Sequence, residues 1–565
     1  MTEPRFHPDA RYDSVEATER SWQQEFRGTT DVLYTTLQRY MSQNTPRPYA
    51  RYAAFTQSSG SGKSRMNDEL AKKVLYIPVN LGPVGGDVYP PADDQACYWF
   101  SEYANTPQSC SRRVQAFVCA LFATVLERLK QIEEDTGTAV SNVSTTTAED
   151  VLERVTQLAS EFRMKMNDGM RFGQHVNYRV GFFESVAERA SNTISVRRQD
   201  GSTIGRQDET VWTIARKLTD YLDPVKACRD EPLVILCFDE YHTLTKPQAA
   251  SHGWSPFTVL RNVLHTIVDL PIFTLFVSTV SNVEQVVPHI QQQGMFPPIV
   301  LTSFDILAER LPESGWTLKR VASTHHMVHL GRPMFAAMYD AGRQSYQRDI
   351  IHLARIKLLC SQTAPEFLSN VQSLACIGSR IPIKFKTKTI DEPTSEIMLV
   401  ASHMRMLLYV SSGFAGVITD CPSEPLLAEA AYTILALRRR FSEPIPALSY
   451  HLHWSHLDCG SSRGETVAAA LLLDARDRAT TFPLAADEPL PGIDDIGDDW
   501  DLMYDGAQKR RIVTVPQFLR ALLAKSCHDI LPAEYDRPEK ADVPLDAAFK
   551  DCFIYFNHLI PASTS

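Results

Sequence analysis

The chain has 565 residues, 44% apolar and 22% charged, with a formal net charge of -10. That length leaves room for roughly three or four domains. The acidic balance excludes a surface coated throughout by nucleic acid, although a local basic groove stays open. The 11 cysteines are odd in number and form no C-x-x-C pair, which excludes a zinc-ribbon or dithiol redox motif.

The first 22 residues are polar and mixed in charge, without the apolar core of a signal peptide. The most apolar run, 266–280, contains Asp269 and Pro271 and is too short to span a bilayer. The expectation is an intracellular protein, cytoplasmic or nuclear, with reduced thiols and no membrane partner.

Residues 1–50 read as a helical lead-in. Residues 52–56 form a short apolar run suited to a buried strand, and 63–72 read as a helix start. Between them lies Gln57-Ser-Ser-Gly-Ser-Gly-Lys-Ser64. Strand, glycine-bearing loop and helix in that order predict a phosphate-binding loop. Backbone N–H groups from Ser59, Gly60, Ser61, Gly62, Lys63, Ser64 and Arg65 would wrap a phosphate chain, helped by the helix N-terminus. Lys63 is expected to reach the β- and γ-phosphates of ATP, and the Ser64 hydroxyl to ligate Mg²⁺. Gln57 stands where the pattern wants glycine, which puts the entry to the loop in question.

A second strand is expected at 74–79, then a loop of turn formers to Asp94. Residues 112–130 carry a strong helical stripe, 131–208 only weak helical patterns, and 207–222 a stripe again. Residues 233–238 are unbroken apolar sequence ending in Asp239-Glu240, as a central parallel strand would be. Asp239 fits a holder of Mg²⁺, and Glu240 is placed to polarise an attacking water, a pairing that favours hydrolysis over kinase chemistry. A helix at 257–268 and a strand at 272–277 complete a βαβ unit. Thr279 or Ser278 at that strand's end is a candidate γ-phosphate sensor, against a plain Ser/Asn turn. Arg332, in Leu330-Gly-Arg-Pro333, is a candidate arginine sensor, against a helix start with proline in its first turn. His451, His453 and His456 cluster, with Cys459 nearby; a zinc site there would need spacing on one face plus a fourth ligand.

These segments together resemble the P-loop ATPase module of the fungal Crinkler-type proteins, related to AAA+ and STAND ATPases. The resemblance runs over the loop 58–65, Val79-Asn80 with Tyr89 to Asp94, Phe238 to Leu244, Phe276 to Thr279 and Leu330 to Pro333. It continues through 399–405, 423–431 and 463–465. It implies an α/β P-loop NTPase core with a parallel sheet at 51–340, bearing a long helical insertion at about 100–225. A mainly helical, winged-helix-like region at 341–450 and a smaller α+β nuclease-like region at 451–565 would follow. It also implies an ATPase or nucleotide switch coupled to a restriction-endonuclease-like nuclease; ATP and Mg²⁺ are the expected cofactors, and a homo-oligomer or a protein partner is expected beside the nucleotide. Glu465 matches that nuclease's helix glutamate, with Val467, Ala468, Leu471, Leu472 and Ala475 expected to form the buried face. The acid-x-Lys hairpin of such nucleases is missing by Ser565, so the nuclease reads as truncated. Glu465 reads better as an acid favoured by a helix N-terminus. Two rivals remain beside an ATP-hydrolysing switch: a nucleotide-binding assembly protein without turnover, and a metal-dependent DNA nuclease.

Overall fold

The computed structural model describes residues 8–43, 47–86, 88–102, 106–137, 147–199, 210–245, 254–279, 296–301, 303–362, 365, 367–385, 395–410, 416–436, 448–449, 463–480, 511–523, 548–549 and 551–560. The chain opens with α1 (Pro8–Gln23) and α2 (Thr30–Ser42), then β1 (Tyr52–Thr56), α3 (Lys63–Leu70) and β2 (Leu75–Asn80). Five helices follow: α4 (Asp94–Ser101), α5 (Pro107–Thr136), α6 (Ala148–Asn167), α7 (Asn177–Gln199) and α8 (Val211–Leu222). Then come β3 (Val234–Asp239), α9 (His242–Thr245), α10 (Pro256–His265) and β4 (Ile272–Ser278).

The four strands form one parallel sheet in the order β1-β4-β3-β2. Parallel strands need crossovers, and helices on both faces supply them. Alternate residues serve opposite cores, as the two-residue strand period requires. Tyr52, Ala54, Ile77, Leu236, Phe238 and Phe276 face α4, α5, α8 and α10. Ala53, Phe55, Tyr76, Ile235, Cys237 and Leu275 face α2 and α3. Burial on both faces explains why these strands read as unbroken apolar runs. Beyond β1, Ile299 pairs with Phe55 in a parallel bridge that prolongs the sheet.

The register sets the site. Asn80 lies opposite Asp239, Asp239 opposite Val277, and Thr56 opposite Ser278. All four strands therefore finish along one edge, where open α/β sheets bind their ligands.

α5 begins with a capping box between Thr106 and Ser109 plus Pro107 in its first turn, and ends at Gly137 in the left-handed region (φ 67°). Its cap is worth about 1 kcal/mol. Burying Phe117, Leu121, Phe122, Val125 and Leu129 contributes roughly 1.5–3 kcal/mol each, so packing dominates. The weak patterns across 131–208 resolve into α6 and α7. α6 buries Val151, Val155, Leu158, Phe162 and Met166, an i, i+4 series interrupted by many charges.

A separate core gathers residues from Met327 to Leu473 together with Ala17 of α1. Its helices include Pro333–Ala341, Ile350–Leu359, Asn370–Gly378 and Pro425–Ala436. Beside them an antiparallel pair joins β5 (Met406–Val410) to β6 (Val417–Asp420). A further two-residue pair joins β7 (Val513–Thr514) to β8 (Phe553–Ile554). The helix Arg463–Ala479 corrects one expectation. Val467, Ala468 and Leu471 are exposed, and the buried face is Ala469, Ala470, Leu473, Ala475 and Arg476. Arg476 turns that face inward, because it packs over Tyr432 beside the buried Glu429. No described helix is long and apolar enough to cross a membrane.

Candidate functional site

The loop 57–62 leaves β1 at the edge where the four strands end. Gly60 (φ 74°) and Gly62 (φ 89°) both adopt the left-handed conformation, which other residues enter only at a cost. Gly62 is the N-cap of α3 and offers no side chain to its first turn. The N–H groups of Lys63, Ser64 and Arg65 thus carry the partial positive charge of a helix start toward the sheet edge. Lys63 Nζ donates to the loop's own carbonyls at Gln57 (2.7 Å) and Ser58 (3.1 Å).

Ser64 Oγ donates to Asp239 Oδ2 at 3.0 Å, across 175 positions of sequence. Asp239 sits next to Glu240, whose backbone (φ 52°) is left-handed and whose N–H donates to Asp239 Oδ1 at 3.0 Å. A non-glycine residue there is strained by about 1 kcal/mol or more. The Glu240 carboxylate turns outward and lies 3.3 Å from His242 Nδ1. Burial first, then the Glu240 charge, push Asp239 up to about 6, with Lys63 opposing. Burial lowers Lys63 to about 8, against the pull of Asp239 and Glu240. The site therefore sets one buried carboxylate, that of Asp239, beside an outward-facing one, an environment that a hard divalent cation relieves. A cavity on the α6 side of α3 reaches this pair, lined by Ser64, Asn67, Tyr76, Cys237, Asp239 and Arg179.

Gln57 is fully buried and acts like a strand neighbour. Its Nε2 donates to Leu407 O (2.8 Å), and its Oε1 accepts from Leu407 N (2.9 Å) and Ser58 N (2.9 Å). Arg332 is also fully buried. Its Nε and Nη2 donate to Glu424 Oε1 and Oε2, each at 2.6 Å. Its remaining donors reach Ser59 O, Ser58 Oγ and Met404 O. The guanidinium stands against the loop from within the same chain, and every N–H faces an acceptor.

Thr279 follows β4 at the same edge, half-buried, and its carbonyl accepts from Ser278 Oγ at 2.6 Å. Ser59 and Ser61 belong to the loop, where Ser61 Oγ donates to Ser58 O (3.0 Å). The Arg65 side chain points away, donating to Gln24 O (2.7 Å) and packing over Trp22. The edge thus brings together Lys63, Ser64, Asp239, Glu240, Thr279 and Arg332. Glu465 lies exposed on its own helix, and His451, His453, His456 and Cys459 lie outside the described residues. Glu424 falls in the segment 423–431 of the sequence pattern, which gave it no role; its local signal is an acid before a proline-led apolar helix. Asn80, named in the sequence pattern without a role, closes its loop by donating to Pro91 O (2.8 Å) and accepting from Gly82 N (3.0 Å).

No protein-family model, no curated protein and no solved structure matches this chain.

Proposed function

We propose that this chain binds ATP with Mg²⁺, hydrolyses it slowly, and uses the cycle as a conformational switch. The observation that carries the reading is the Ser64–Asp239 hydrogen bond. It joins the first helical turn after a glycine loop to the acidic end of a parallel strand, the two oxygen ligands a nucleotide-bound Mg²⁺ requires. β4 lies between the loop strand β1 and the acid strand β3. That resembles the ATPases that carry an extra strand between their two motif strands.

Bound Mg²⁺ and ATP supply a polarised γ-phosphoryl group. Lys63 would leave the loop carbonyls and hold the phosphate chain. Ser64 and Asp239 would hold the cation. Glu240 would orient the attacking water, and Thr279 would donate to the γ-phosphate. Phosphate release by the full chain tests this. Turnover that needs Mg²⁺ and disappears in Lys63→Ala and Glu240→Gln is expected. Equal turnover in wild type and Lys63→Ala would sink the reading.

One observation favours a second reading, nucleotide binding without turnover. All five Arg332 donors are taken by Glu424, Met404 and the loop itself, so this arginine is a brace in the described state. Tight ATP binding with no phosphate release in the presence of Mg²⁺ would select that reading.

A further inference from the structure

Behind the Arg332 turn, two short elements bring together side chains with metal-ligand chemistry. His325 lies in the helix Thr324–Val328 and His329 is its C-cap, four positions on and therefore on the same face. Asp340 comes from the next helix, Pro333–Ala341. One ligand atom from each of the three lies within 4.8 Å of the other two. A tetrahedral ion with bonds of about 2.0–2.1 Å asks for ligand atoms about 3.3 Å apart, so modest side-chain rotation closes the site.

Two details point to a ligand beyond mutual hydrogen bonding. His329 Nδ1 bonds the carbonyl of His325 at 2.6 Å, which fixes the proton on Nδ1. Nε2 donates to Asp340 Oδ2 at 3.1 Å, and it is this Nε2 proton that a metal ion would displace while keeping both side chains as ligands. A backbone-anchored tautomer of this kind is the usual support of a metal-bound imidazole. The second detail is His325 Nδ1, buried and without a hydrogen-bond partner. Its ring stacks on that of His329 with centroids 4.5 Å apart. Glu309 lies close enough to act on both rings, although it is paired with Arg320. A simple His–Asp helix contact accounts for His329 and leaves His325 unexplained.

We infer that His325, His329 and Asp340 form a binding site for a divalent transition-metal ion of the Zn²⁺ class. Two imidazoles and one carboxylate suit Zn²⁺ or Co²⁺, with water in the fourth position, and do not suit Mg²⁺ or Ca²⁺, which take oxygen donors. The site lies outside the proposed nucleotide site and does not depend on that reading. It would clip together the two helices on either side of Leu330-Gly331-Arg332, and so fix the turn from which Arg332 reaches the Ser59 carbonyl.

The test uses full-length protein carrying no histidine tag, loaded with Zn²⁺ and freed of excess by gel filtration. The wild type should retain about one zinc per chain by elemental analysis, and His325→Ala and His329→Ala should each retain tenfold less or lower. Zinc should raise the melting temperature of the wild type and not that of His325→Ala. Far-UV circular dichroism checks that the variants are folded. Should a variant fail to fold, Co²⁺ added to wild-type protein decides, because a four-coordinate site gives intense visible absorption. Absence of that absorption, no stoichiometric zinc in the wild type, or equal zinc in folded variants would each overturn the assignment. The last result would place the metal elsewhere, for example on His451, His453 and His456.

Discussion

Gln57 occupies the position where a phosphate loop ordinarily opens with glycine, and its amide is engaged by both polar groups of Leu407. Leu407 is itself fully buried, so truncating the amide leaves an N–H and a C=O without partners. Each such group costs about 1–3 kcal/mol. Gln57→Ala should therefore lower stability by roughly 2–6 kcal/mol in urea unfolding. ATP affinity should change little, because Gly60 and Gly62 still shape the cradle. A stability change near zero would show that the Leu407 contact contributes nothing.

Two shifted groups give the site a pH signature. Asp239 is raised to about 6, so the folded protein holds that proton between the ordinary carboxyl range and pH 6. Stability from this group falls as pH rises through that window, and cation binding needs the proton gone. Lys63 is lowered to about 8, so the folded protein sheds this proton before the unfolded chain does. Stability from Lys63 rises with pH from about 8 to the ordinary lysine range, while the charge that attracts phosphate is lost. Mg²⁺-dependent ATP affinity should peak between about 6 and about 8. Asp239→Asn should abolish the Mg²⁺ dependence and the acid limb with it, and a flat profile in the wild type would contradict the assignment.

At the scale of elements, α3 is held from two sides. On one, Asp68 receives Arg163 and Asn167 of α6, tying the insertion to the helix that follows the loop. On the other, the turn before the helix Pro333–Ala341 reaches the loop through Arg332. Gly331 makes that turn at φ 93°, and an added Cβ would lie 2.6 Å from Glu424 Cγ. Gly331→Ala should consequently displace Glu424 and uncouple the Arg332 pair. Glu424→Gln leaves a buried guanidinium without its counter-charge, which costs about 3–5 kcal/mol. Both variants should melt well below the wild type, with the larger change in turnover if Arg332 is then freed to meet phosphate. Unchanged melting in Glu424→Gln would show that the pair does not brace the loop.

The strands of the sheet were legible because parallel strands buried on both faces leave continuous apolar runs, as at 233–238. The loop and its acid pair were legible because strand, glycine and helix signals are local. The α6 helix was obscured by its charges, and the face of Arg463–Ala479 by its alanines, which fit either side. The Arg332–Glu424 pair spans 92 positions, and Gln57 with Leu407 spans 350. Nothing local in the sequence marks such partners. His325 and His329 did carry a readable i, i+4 signal; Asp340 joins them only through the turn between two helices.

At the scale of the molecule, two hydrophobic cores flank the parallel sheet and a third lies in the helical region beyond residue 327. The loop 57–62 is where these parts meet. Gln57 and Arg332 connect it to Leu407, Met404 and Glu424 of that later region. A ligand that draws Lys63 from the Gln57 and Ser58 carbonyls would act on the same loop backbone that Arg332 holds. The switch in the proposal is that contact, with bound nucleotide on one side and the Arg332–Glu424 brace on the other. ATP should accordingly raise the melting temperature of the wild type in proportion to saturation. In Lys63→Ala it should not.

The central claim is most directly tested by titrating ATP into the full-length wild type and folded Lys63→Ala by calorimetry, with and without Mg²⁺. The account predicts one ATP per wild-type chain, tighter binding with Mg²⁺, and loss of binding in Lys63→Ala. No binding by the wild type, or equal affinity in Lys63→Ala, would contradict it.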